Sequence, residues 1–115
     1  MSKNYLLVYS EQLATDIELL CQNIKAPSNT IFQIRKSSSS VYANIREANY
    51  AQGKKDFISK LQIALKECYE TEYWLELFVK SELIDREIAK ELCNQCGTIR
   101  RMLIASINTA KENAK

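Results

Sequence analysis

Residues 35–76 read RKSSSSVYANIREANYAQGKKDFISKLQIALKECYETEYWLE, and this stretch decides the fold. Two helix-forming runs flank a single glycine, Gly53. Small residues crowd the first run and bulky apolar ones stripe the second. The pattern predicts an antiparallel helical hairpin, with one further helix supplied by the chain on either side. In the 115 residues there are only two glycines and one proline, so turns are scarce and long helices are expected. At 46% hydrophobic and 26% charged, the chain has the composition of a single globular domain, 1–115, with one core.

The second run is expected to span about Thr30 to Ala51, with Ile31, Ile34, Val41, Ile45 and Ala48 on its apolar face. Ser37 to Ser40 admit two readings. Either small side chains let neighbouring helices approach closely, or the four serines form a polar face. Asn44 falls seven residues after Ser37, where a buried amide would pin helix register. Beyond Gly53, the lysines Lys54 and Lys55 are expected just outside the first turn of the third helix, because helix starts favour acids. Its core stripe is Phe57, Leu61, Ala64, Leu65, Cys68, Leu75 and Val79, flanked by Ile58 and Trp74. Reflection about Gly53 at equal rise sets position 46 opposite about 60 and position 35 opposite about 71. Arg35 is therefore expected to pair with Glu70 or Glu72.

Working outward, the first helix is expected from about residue 4 to Lys25, with Leu6, Leu13, Ile17, Leu20 and Ile24 inward. Pro27 ends it, and Ser28, Asn29 or Thr30 caps the next. Asp85 is a candidate cap for the fourth helix, whose seam is Ile88, Leu92, Ile99, Leu103 and Ile107. The fold class predicted is all-α, an antiparallel up-down-up-down four-helix bundle.

Charge is zoned. Residues 25–66 sum to about +6 and residues 67–91 to about −5, within a net charge of +2. The basic side chains Arg35, Lys36, Arg46, Lys54, Lys55 and Lys60, with Tyr42 and Tyr50 between them, form the candidate nucleic-acid-binding set. Such groups neutralise phosphates, and tyrosines stack on unpaired bases. The other use of the same charges is contact between the basic zone of one subunit and the acidic zone of the next.

Catalytic signatures are lacking. The chain has no histidine, the commonest general base, and no phosphate-binding loop or nucleophile elbow. Glu67, Glu70, Glu72 and Glu76 read as a solvated face. Cys93-Asn-Gln-Cys96 has redox or metal spacing but lies within a helical run, and zinc would require Cys21 and Cys68 to converge on it. No enzyme activity, cofactor or metal is expected. With no signal sequence and no membrane-length apolar run, the expected location is the reducing cytoplasm.

From Val41 to Leu77 the sequence resembles the four-helix-bundle family that includes the proteins encoded in intervening sequences of bacterial 23S rRNA. The residues that carry the resemblance are Arg35–Lys36, Ser40–Val41, Ala43–Asn44–Ile45, Glu47–Ala48, Lys54 to Phe57, and Ala64 to Leu75. Tyr42 stands where glycine or proline is common, and Arg46 where an acid or apolar residue is frequent. The resemblance implies a bundle protomer that assembles into a homo-oligomeric ring, commonly a pentamer. It also implies kinship with the accessory proteins of diversity-generating retroelements, whose more basic rings bind nucleic acid and a reverse transcriptase. An RNA or protein partner is therefore expected, and no membrane.

Overall fold

The computed structural model describes residues 4–113. It contains four helices, α1 (Tyr5–Asn23), α2 (Ser28–Ala48), α3 (Lys54–Lys80) and α4 (Arg86–Asn113), and measures 48 × 25 × 22 Å. Consecutive helices run antiparallel, and α4 returns beside α1 to close the up-down-up-down bundle. Each helix packs on two neighbours, and diagonal helices meet only across the core. The α2–α3 pair is the most closely packed and α1–α4 the least.

Three- and four-residue steps place the seams. Leu13, Ile17 and Cys21 of α1 face Ile34, Val41, Ile45 and Ala48 of α2 across one continuous core. The α3 stripe runs Leu61, Ala64, Cys68, Thr71, Leu75 and Phe78, and the α4 stripe Ala89, Leu92, Cys96, Ile99, Leu103, Ile107 and Ala110. Two expected core residues are displaced. Phe78 takes the fully buried place assigned to Val79, because the 3-4 alternation through Thr71 and Leu75 arrives at 78. Ile88 is 43% exposed, and the smaller Ala89 holds the seam instead.

Helix ends differ from expectation for local reasons. Asn4 caps α1 by accepting the Leu7 N–H at 3.1 Å, and the helix stops at Asn23, leaving Ile24 extended before Pro27. None of the polar residues Ser28, Asn29 and Thr30 caps α2. Pro27 occupies the cap position, and its carbonyl accepts the Ile31 N–H. α2 ends at Ala48, because the N–H groups of Asn49, Tyr50 and Ala51 donate three residues back and tighten the chain into the turn. Lys54 and Lys55 lie inside the first turn of α3, not outside it. Asp56 makes this tolerable: it supplies the acid of that turn, and its carboxylate accepts the Gln52 N–H at 3.2 Å.

α3 ends in a Schellman arrangement. Glu82 adopts φ 60°, its N–H donates to the Val79 carbonyl, and the Leu83 N–H reaches back to that of Phe78 at 2.8 Å. Leu83 then packs on the core, and α4 starts directly after Asp85. No helix among the described residues is long and apolar enough to cross a membrane.

Candidate nucleic-acid interface

The α2–α3 hairpin carries all six basic candidates. Its register is as reflection about Gly53 sets it: Lys60 Nζ lies 3.2 Å from Glu47 Oε1, and Thr71 Oγ1 donates to Ser37 Oγ at 2.9 Å. Height along the hairpin was thus legible, but azimuth was not. Arg35 does not reach Glu70 or Glu72. Its Nε donates to Glu18 of α1 at 2.7 Å. Each residue turns the helix by about 100°, so a position at the right height can face the other neighbour. Glu72 is taken by Arg100 of α4, through two bonds of 3.0 and 3.1 Å over the ring of Tyr69. The hydrogen bond to Glu72 holds the Arg100 guanidinium above its ordinary pKa.

Tyr42 is committed to the α1–α2 contact. Its hydroxyl donates to Glu11 Oε2 at 2.7 Å, which pushes its pKa up, while the Arg46 guanidinium lies 5.6 Å from its ring centre. Glu11 and Glu18 were not singled out from the sequence. A signal for them was present, since Glu11–Tyr42 and Glu18–Arg35 are both symmetric about the Ala26–Pro27 bond.

The remaining basic groups divide by position. Lys36, Lys54 and Lys55 are exposed and form no ion pair among the described residues. Arg46, Lys54, Lys55 and Lys60 gather at the Gly53 end, whereas Arg35 and Lys36 lie about 15 Å further along α2. Tyr42, Ala43, Arg46 and Tyr50 line an open groove of about 500 Å³ on the outer side of α2, with Ser39 and Glu47 at its edges. Tyr50 is 79% exposed, the most accessible large apolar side chain among the described residues.

The four cysteines do not converge, although Cys68 and Cys96 meet. The Cys68 thiol donates to the Cys96 carbonyl at 3.3 Å in the core, and the Cys68 contact together with burial pushes the Cys96 thiol strongly up. Cys93 lies partly exposed near Glu72 and Glu76, and Cys21 sits beside Arg35 and Glu18; burial raises both. Among the described residues no three His, Cys, Asp or Glu side chains are grouped to hold a metal ion.

The sequence of this bundle also matches a known family profile. The 23S rRNA-intervening sequence protein profile spans residues 6–105, nearly the whole bundle. The chain belongs to the 23S rRNA-intervening sequence protein family. A solved relative from Bacteroides thetaiotaomicron, described as a protein with unknown function from the S23 ribosomal protein family, is 41% identical and superposes with a TM-score of 0.86. The alignment covers 91% of this chain and 96% of that one. No protein of curated function matches the sequence. Neither the 23S rRNA-intervening sequence protein profile nor the solved relative names a catalytic family.

Proposed function

We propose that this protein is a non-enzymatic, ring-forming bundle that binds structured RNA through the Gly53 end of its α2–α3 hairpin. The observation that carries this reading is the outer α2 groove, which Arg46 and the exposed Tyr50 line at the same end of the hairpin as the exposed Lys54 and Lys55. The lysines neutralise phosphates, and Tyr50 offers a stacking face to an unpaired base. Arg35 and Lys60 contribute less, being partly neutralised by Glu18 and Glu47, and Lys36 extends the footprint along α2. One hairpin supplies few contacts. Repetition around a ring, for which the family resemblance suggests five subunits, would convert weak contacts into useful avidity.

The engagement of Arg35 and Lys60 by acids favours a second reading, in which the basic zone serves subunit assembly alone. One experiment separates them. Binding of the purified protein to structured RNA is measured across a salt series, with the mass of the complex recorded, for wild type and for Lys54→Glu with Lys55→Glu. The RNA reading expects affinity to fall linearly in log salt, and the double variant to lose binding with its assembly intact. Absence of binding even at low salt, or dissociation of the oligomer in the variant, would establish the assembly reading instead.

A further inference from the structure

The least closely packed side of the bundle is the seam between α1 and α4, where the two helices leave an open groove rather than a closed contact. Two stretches that share Gln95 make it up, one of about 580 Å³ along Asp16, Leu19, Leu20, Ile88 and Leu92, the other of about 280 Å³ by Tyr9, Gln12 and Thr98. Its floor is apolar. Leu19 is 52% exposed and Ile88 43%, although both are side chains that a bundle normally covers. Every charged residue lining the groove is acidic: Asp16, Glu87 and Glu91. No basic residue occurs anywhere in α1.

The middle of the groove holds an unfinished polar contact. Gln95 Nε2 donates to Asp16 Oδ2 at 2.9 Å, but the Oε1 of the same amide is buried with no hydrogen-bond partner. A buried acceptor left unpaired is costly, so a rotation of this amide toward the groove, where an outside donor could meet it, is favoured when such a donor arrives.

We propose that this groove receives a fifth helix: an amphipathic helix of a partner protein, apolar on one face and flanked by lysine or arginine. Charge complementarity selects the occupant. A helix with acidic flanks would be repelled by the three carboxylates, and a wholly apolar one would leave them desolvated without a counter-charge. The groove follows α1 from Tyr9 to Asn23, about 21 Å, the length of a helix of some four turns. Apolar side chains at i, i+3, i+4 and i+7 of the incoming helix would cover Leu19, Leu20 and Ile88. A lysine, arginine or amide near its centre would donate to Gln95 Oε1 once that amide turns outward into the groove. This surface lies across the bundle from the α2–α3 hairpin, so the inference stands whether or not that hairpin binds RNA.

The test uses two labelled synthetic helical peptides with the same leucine stripe, one flanked by lysines and the other by glutamates. Titration by fluorescence anisotropy is expected to show one-to-one binding of the lysine peptide, with the glutamate peptide at least tenfold weaker. Leu19→Lys with Ile88→Lys, both exposed positions, is expected to weaken the lysine peptide at least tenfold while leaving the thermal melt unchanged. Glu87→Lys with Glu91→Lys is expected to reverse the peptide preference. Equal affinity for the two peptides, no binding of either, or indifference to both double variants would overturn the proposal. So would loss of the native oligomer mass in the Leu19/Ile88 variant, which would make a second copy of this chain the occupant.

Discussion

Ser37 stands where α2 and α3 approach, and it does two things there. Its small size allows the approach, and its hydroxyl accepts from Thr71 while donating to the Ile34 carbonyl at 3.2 Å. Ser37→Ala is expected to cost about 0.5–1.5 kcal/mol, since the Thr71 hydroxyl keeps the Glu67 carbonyl 2.9 Å away. Ser37→Leu is expected to cost about 1–3 kcal/mol through overpacking, and urea unfolding of both variants measures the difference. If leucine were the milder change, close approach would not be what the site demands. The sequence offered two readings of the serine run, and each holds for part of it. Ser37 and Ser38 are buried, while Ser39 is exposed, because four consecutive residues cannot share one helix face. Asn44 was expected to pin the register across helices. It donates instead to the Ser40 carbonyl of its own helix at 2.8 Å, a local outlet that residue spacing does not reveal.

Among the elements, the turn that closes α3 and the interior of α4 each hold one residue that suits its backbone poorly, and the two call for exchanges in opposite directions. Glu82 holds the left-handed position that closes α3, where a side chain costs about 1 kcal/mol relative to glycine. Glu82→Gly is expected to raise stability by several tenths of a kcal/mol to about 1 kcal/mol. Gly97 lies buried within α4, where glycine is disfavoured by about 1 kcal/mol relative to alanine. A methyl group there would come within 3.3 Å of the far end of the exposed Arg101 side chain, which can move aside. Gly97→Ala is therefore also expected to stabilise, and a melt of the two single variants and the double should show near-additive gains. A loss in the alanine variant would mean that Arg101 is fixed in place. Element identity was legible because apolar residues recur at helical spacing over long runs. The ends were less so: whether Ser28 or Pro27 takes the cap, or how the chain tightens after Ala48, depends on backbone geometry that side-chain pattern does not encode.

For the molecule as a whole, symmetry about each turn fixed which heights meet, as Glu47–Lys60 on one hairpin and Glu18–Arg35 on the other illustrate. What the sequence hid was the sharing of charges among all four helices. Arg35 was expected to pair with an acid of α3, and Arg100 was not singled out, whereas the structure places Glu18 against the first and Glu72 against the second. The basic zone that looked uniform is thus divided into neutralised and unpaired groups, a distinction that no tally of lysines and arginines contains. The open α1–α4 groove was invisible for a related reason. It arises from the fit of two helices with 62 residues between them in the chain (24–85), not from either one alone.

That distance has a kinetic meaning. Three of the four helix contacts join neighbours in the chain, which close over short loops, and only α1–α4 must bring remote segments together. The loose seam is then the side from which the native protein opens first, with α1 peeling away as a cooperative unit while the α2–α3–α4 layer persists. Native-state amide hydrogen exchange should find the α1 amides around Leu13 and Ile17 exchanging through an opening of lower free energy than those around Leu61 and Leu75, despite equal burial. Uniform protection across all four helices would mean that the bundle opens only as a whole.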